Sequence, residues 1–428
     1  MITNSVRTAA EGVASTRVPN VWAARLLILF FVLEYARPYA LAVLKIQMVI
    51  VVVLLLMWAM AKDRPWSDIL AAQVLFFLLC LQGVATAENN YAAYITTRIM
   101  FGHLSIALAL SWVLGRLPTF RKVTFAWLLI VGYLALYGIT HGGRGPGAMV
   151  GDENDLALGC ATAFPFAFYG FERLSGARRW VSAVIVGLLV AAIVISFSRG
   201  GFVALVAVGL YCWTASRHKL RGVVVLLLVA GLVLATATDQ GRTGESYYER
   251  LKSMFNTDEG TAEQRQFLWS VARNMWRANP ILGVGGGNFT FLVGKYQSTD
   301  YNKPEFLERD WSGVVVHSIF FEILAEQGSA GIVIFAYIVW AHLRTLRRLR
   351  RQAKSAPCLA PEIRRDADLY AGALSGAVIG FCAAGAFLAV AYYPYLWYFS
   401  AMTVALETAV NREIQRANEV DQALQNTR

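Results

Sequence analysis

The stretch RRWVSAVIVGLLVAAIVISFSRGGFVALVAVGLYCWTASRHK (178–219) decides how the rest of the chain is read. Two apolar runs, 179–197 and 200–216, have the length that crosses a hydrocarbon layer of about 30 Å. A tight turn, Ser196–Gly201, joins them into a helical hairpin. The open end of the hairpin carries Arg178, Arg179, Arg217 and Lys219, whereas the turn carries only Arg199. Loops on the cytoplasmic side of a membrane are enriched in Lys and Arg. The hairpin is therefore expected to span a membrane with its turn outside.

The same pattern recurs in both directions. Apolar runs near 20–36, 39–61, 67–86, 91–115, 121–140, 154–172, 179–197, 200–216, 220–238, 317–343, 368–391 and 394–411 predict about twelve transmembrane helices. Composition agrees: of 428 residues, 57% are hydrophobic and 16% charged, with a mean hydropathy of +0.48. Soluble domains carry roughly 25% charged residues, so most of this surface is expected to face lipid. With a cytoplasmic N-terminus, the cytoplasmic loops and tails hold 24 Lys and Arg, and the short outer loops hold three, Arg37, Arg144 and Arg199. The net charge of +11 thus reflects topology and gives no support to nucleic-acid binding. The basic run RTLRRLRRQAK (344–354) is read as holding a helix end at anionic headgroups. The first 20 residues are polar, and no cleavable signal peptide is expected.

The expected class is an all-α polytopic membrane protein with one large, mainly helical periplasmic insert between spans nine and ten. Its parts are 1–238 (spans one to nine), 239–316 (insert), 317–411 (spans ten to twelve) and 412–428 (cytoplasmic tail). The polar stretch Asp239–Gly313 has nine Lys or Arg against ten Asp or Glu, unlike the basic loops of the other side. Within it Phe267, Leu268, Val271 and Met275 fall on one helical face, Thr261 and Gln264 have capping-box spacing, and Pro280 ends the pattern. Such a helix could lie on the membrane or close over the bundle as a lid. Cys80, Cys160, Cys212, Cys358 and Cys382 all lie outside the insert, so no disulfide framework is expected there, and no zinc spacing occurs.

Charged groups near the outer membrane face carry the chemistry, because burying them is costly. Arg199 sits beside Gly200 and Gly201 at a helix start, where free N–H groups and a guanidinium suit a phosphate or pyrophosphate; an arginine snorkelling to water is the alternative. Arg265 lies on the edge of the amphipathic helix, and an ion pair with Glu263 or another acid is the alternative reading. His317 opens span ten, where the helix dipole favours the neutral imidazole that a general base needs. Asp152, Glu153, Asn154 and Asp155 could bind a cation or simply cap span six. Gly283, Gly285, Gly286 and Gly287 precede Asn288 without the Lys-Ser/Thr of a Walker loop, and read as closely packed backbone. Arg98 lies within a span and Arg144 in an outer loop; with Asn154 and Asn288 they are secondary substrate-binding candidates.

The segments ISFSRGGF (195–202), EQRQFLW (263–269), NPILGVGGGNF (279–289) and VHSIFFEILAEQGSAGI (316–332) together resemble the O-antigen ligase and polymerase superfamily. His317 and Gly328 reproduce its His-x10-Gly pattern, whereas Gly151–Asp155 has Glu153 where the related Gly-Asp-Pro-Asn stretch has proline. The resemblance covers about half the chain. It implies a membrane glycosyltransferase of the GT-C type at the periplasmic face of the bacterial inner membrane, inverting and independent of metal or other cofactor. The implied donor is a glycan on undecaprenyl pyrophosphate. A ligase would pass it to a sugar hydroxyl of lipid A–core, completing lipopolysaccharide; a polymerase would pass it to another repeat unit. By the same resemblance Arg199 and Arg265 would contact the pyrophosphate and His317 would activate the acceptor.

A ligase is favoured over a polymerase, because only one outer loop is large. A flippase or transporter for a lipid-linked sugar is the competing class, and the asymmetric insert and lack of internal repeats argue against it. Membrane lipids are the remaining expected partners.

Overall fold

The computed structural model describes residues 21–36, 45–147, 150–216, 219, 259–297, 306, 309–356 and 359–426. All regular elements among the described residues are helical. In chain order they are α1 (Val21–Phe31, continued by a π-turn over Val32–Ala36), α2 (Ile46–Met60), α3 (Asp68–Thr86), α4 (Asn90–Val113), α5 (Leu117–Thr140), α6 (Glu153–Arg173), α7 (Gly176–Ile195) and α8 (Arg199–Ala215). After them come α9 (Glu259–Ala278), the short α10 (Phe289–Leu292), α11 (Ile319–Ser355), α12 (Pro361–Gly385) and α13 (Pro394–Asn426). The expected span at 220–238 lies outside the described residues.

Among the described residues, six helices are long and apolar enough to cross a membrane: α3, α4, α5, α7, α11 and α12. Helices α2 and α8 are apolar but shorter. Helix α6 and the first half of α13 fall on expected spans and are almost wholly buried. A helix that meets other helices rather than lipid has no need of large apolar residues, and small ones let backbones approach. Gly372 of α12 lies against the Tyr169 ring of α6, where an added Cβ would stand 2.6 Å from Cζ. Gly376 likewise accommodates Pro165 and Gly380 accommodates Val208 of α8. The outward faces instead carry Val49, Leu56, Leu78, Val184, Val206 and Trp340 exposed, as a lipid-facing surface requires.

Three helices differ from their expected lengths. Helix α11 runs 37 residues, well past 343, because the basic run continues its periodicity and buries Leu346, Leu349 and Ala353. Helix α12 starts at Pro361, and α13 continues beyond 411 to Asn426. These extensions are tied by Arg350 and Arg173, which share Asp368 at 2.8 and 3.0 Å, and by a pair between Arg348 and Glu407. Thr261 lies inside α9, which already runs from Glu259, so it is not the N-cap that its spacing with Gln264 suggested. The rest of the α9 reading holds: Phe267, Leu268, Val271 and Met275 are fully buried, and the helix stops at Ala278, ahead of Pro280.

Helix α11 breaks at Gly328, whose φ of 63° and ψ of −161° are not helical. The break leaves backbone groups without helical partners, and the segment 280–285 supplies them. Val284 and Gly285 donate N–H to the carbonyls of Ala325 and Glu326, both at 2.9 Å. Pro280 and Ile281 carbonyls accept from Ser329 and Ala330 at 2.9 and 3.1 Å. Two backbones in such contact exclude side chains: a Cβ on Gly328 would stand 2.4 Å from the Ile281 carbonyl oxygen, and one on Gly283 would stand 2.4 Å from the Glu326 carbonyl carbon. Gly328→Ala should therefore destabilise the junction by at least about 1–3 kcal/mol. Faster proteolysis between α9 and α11 and a lower Tm are the readouts, and an unchanged digestion pattern would argue against this packing.

Candidate functional site

Three structural units converge on the crossover 386–393 that joins α12 to α13. The first is the turn between α7 and α8. Ser196 Oγ donates to the Ile193 carbonyl at 2.7 Å and accepts the Ser198 N–H at 3.2 Å. Ser198 is the N-cap of α8, its Oγ accepting the Gly201 N–H at 3.1 Å and donating to Asn154 Oδ1 at 2.7 Å. Phe197 between them has a φ of 52°, a left-handed conformation that non-glycine residues rarely adopt. Gly201 is needed because a Cβ there would lie 2.4 Å from Ala157 of α6. The serines, the strained Phe197 and the glycine thus present half-buried Arg199 on the first turn of α8, with Gly200 next to Leu388 of the crossover.

The second unit is α9. Its buried face packs on Phe289, Phe306 and Trp311, and Trp269 reaches the other way. The Trp269 indole donates to the Val316 carbonyl at 3.1 Å and stacks on Phe321 with 5.0 Å between centroids. That docking fixes α9 against the residues that open α11. Arg265, on the edge of the helix, is half-buried, with its guanidinium 5.9 Å from the centroid of Phe387.

The third unit is the start of α11. His317 has a φ of 52° and Ser318 is the N-cap, while Ile319 packs against Gly385 at the end of α12. Among the described residues, only Lys45, Phe197 and His317 combine positive φ with a side chain. Two of the three flank this site, and strain of this kind persists where surrounding structure enforces it.

The charges of these units act on one another. Burial, and then the charge of Arg199, lower the pKa of Arg265 from its usual value, although a guanidinium remains protonated. Burial, and then the charge of Arg265, push His317 below the usual imidazole value of 6.5. Arg199, Arg265 and His317 therefore form one electrostatic chain: two fixed positive charges and an imidazole that is neutral at pH 7. Two helix N-termini, those of α8 and α11, add partial positive charge at the same place. The arrangement can hold a polyanion and leave a neutral base beside it.

The secondary candidates fall elsewhere. Asn154 braces the turn through Ser198. Asn288 is fully buried, and its amide joins the insert to α4, accepting from Asn89 N–H at 2.9 Å and donating to the Asn89 and Gly286 carbonyls at 3.2 Å. Arg144 forms an exposed two-point pair with Glu153 at 3.1 and 3.3 Å, and Arg98 is exposed on α4. The charges felt by Arg265 and His317 are those of Arg199 and Arg265, not of these two. Asp152 caps α6 by accepting the Asp155 N–H at 2.7 Å, as its capping reading expected.

Two further groups escaped the sequence reading. Glu326, 3% exposed, accepts the Gly287 and Phe289 N–H groups at 2.7 and 2.9 Å and the Tyr392 hydroxyl at 2.8 Å. One carboxylate so joins α11, the glycine loop and the crossover. Glu322, one turn earlier, accepts the Ala391 N–H at 2.9 Å. Two acids four residues apart in an otherwise apolar helix were the available signal.

Residues 184–336 match the family model described as O-antigen ligase. The matched stretch contains Arg199, Arg265, His317, Glu326 and Gly328. No curated protein matches the chain.

Proposed function

We propose, from the match of residues 184–336 to the O-antigen ligase family model, that the chain is an O-antigen ligase. It would transfer a glycan from undecaprenyl pyrophosphate to a sugar hydroxyl of lipid A–core. In this reading about twelve helices span the bacterial inner membrane, both termini are cytoplasmic, and residues 239–316 form a lid on the periplasmic side. The observation that carries the proposal is the convergence of the elements bearing Arg199, Arg265 and His317 on the crossover, with Gly200 beside Leu388, Arg265 over Phe387 and Ile319 against Gly385.

The chemistry follows from that set. His317 takes the proton of the acceptor hydroxyl as its oxygen attacks the anomeric carbon. The bond from that carbon to the pyrophosphate oxygen breaks, and undecaprenyl pyrophosphate leaves with the electron pair. Arg199, Arg265 and the N–H groups at the start of α8 stabilise the charge that grows on it. Attack and departure occur on opposite faces of the sugar, so the anomeric centre inverts. The proton on His317 then passes to water. No step needs a metal, and EDTA is expected to leave the rate unchanged.

Reconstitution of the purified protein with lipid-linked glycan and lipid A–core tests the assignment. Glycan-bearing lipid A–core is the expected product. Longer glycan on the donor lipid alone would reassign the protein as a polymerase, and movement of the donor across the bilayer without transfer would make it a flippase.

A further inference from the structure

Helix α11 carries an exposed stripe along its length that changes character part way. Val333, Tyr337, Trp340, Arg344, Arg347 and Arg351 are exposed in steps of four and three, so they share one face. The opposite face, including Ile338, Leu346 and Leu349, is buried in the bundle. The stripe begins apolar, passes through Tyr337 and Trp340 (5.7 Å between centroids) and becomes basic at Arg344, whose guanidinium sits 4.9 Å from the Trp340 centroid. That succession matches the passage from acyl chains through the aromatic interfacial belt to the headgroup level.

The arginines of this helix also divide by partner. Arg350 bonds Asp368 and Arg348 bonds Glu407, which locks them to α12 and α13. Arg344, Arg347 and Arg351, together with Arg348, line an open groove of about 540 Å³ that also takes in Trp340, Gln352 and Ser355, with no acid in its lining among the described residues. Arg344 and Arg351 are two helical turns apart, roughly 10 Å along the axis.

We propose that this groove is a binding site for the headgroup of an anionic phospholipid, its phosphate on Arg344, Arg347 and Arg351 and its acyl chains along Trp340, Tyr337 and Val333. A soluble phosphate would satisfy only the basic half of the stripe; a lipid covers the whole of it. The inference rests on α11 crossing the membrane and is independent of the transfer reaction.

The test is native mass spectrometry of the protein released from bilayers containing phosphatidylglycerol and phosphatidylcholine. Phosphatidylglycerol should be retained selectively, and Arg344→Gln, Arg347→Gln and Arg351→Gln should each weaken retention roughly fivefold. Arg347→Lys should keep it, as should Arg277→Gln in the last turn of α9. Equal retention of both lipids, or no loss in the three glutamine variants together, would overturn the proposal. Displacement of the lipid by millimolar inorganic phosphate would overturn it in favour of a plain anion site.

Discussion

Arg265→Ala should lower single-turnover transfer by about 10²–10³-fold while leaving the protein folded. In the proposed mechanism the loss is that of a fixed positive charge facing the departing pyrophosphate. Folding should survive because the side chain that docks α9 is not Arg265 but the buried set of Phe267, Leu268, Val271 and Met275, together with Trp269. Arg199→Ala should cost a similar factor. The double variant should lose less than the product of the two, since in the proposed mechanism both charges serve one leaving group. Arg265→Lys should recover only part of the rate, because an ammonium lacks the planar group that lies over Phe387 and the forked donors that suit a phosphate. A second effect identifies the residue more sharply. Since the Arg265 charge helps to hold the His317 pKa down, removing it should move the acid limb of the pH–rate profile to higher pH. An Arg265→Ala protein with near wild-type transfer and an unmoved acid limb would remove Arg265 from the site.

The helices were legible wherever lipid sets the residue type, which is why 67–86, 121–140 and 179–197 lie within two or so residues of α3, α5 and α7 at most of their ends. Amphipathic α9 was legible for the same reason turned inward, its apolar face having to find Phe289 and Trp311. Lengths failed where helices leave the apolar layer. Beyond 343 the stabilising contacts of α11 are Leu346, Leu349 and the Arg350–Asp368 pair, and a scan for apolar runs does not register them. In the site, the charges stood out because a charge at a membrane face requires an explanation. Groups that hold the charges in place did not. Glu326 has meaning only once Gly287, Phe289 and Tyr392 are known to surround it, and these lie 39, 37 and 66 positions away. Asn288 and Asn154 looked like ligand-binding amides, yet their hydrogen bonds go to Asn89 and Ser198, contacts that no local pattern encodes.

His317 offers the more exacting experiment, because its backbone as well as its ring is unusual. At a φ of 52°, alanine adds strain of its own, whereas asparagine tolerates the left-handed region better and cannot serve as the base. His317→Asn is therefore expected to abolish measurable transfer, a loss of about 10²–10⁴-fold or more, with donor binding and Tm near those of the wild type. His317→Ala should lose transfer equally but melt earlier. In the proposed mechanism the active form of the wild type is the neutral ring. The rate should hold constant through neutral pH and fall only as pH drops through a pKa below 6.5, since burial and Arg265 both oppose protonation. The same shift has a stability consequence of fixed sign. The unfolded chain takes up the proton more readily than the folded one, so the contribution of His317 favours folding less as pH falls below 6.5. An acid limb above 6.5 would mean a histidine stabilised as the cation, a partner of the pyrophosphate rather than a base. Loss of donor binding in His317→Asn would carry the same meaning. Transfer retained in His317→Asn would exclude the ring from the chemistry and leave deprotonation of the acceptor to the carboxylates nearest the crossover, of which Glu322 is the first to test.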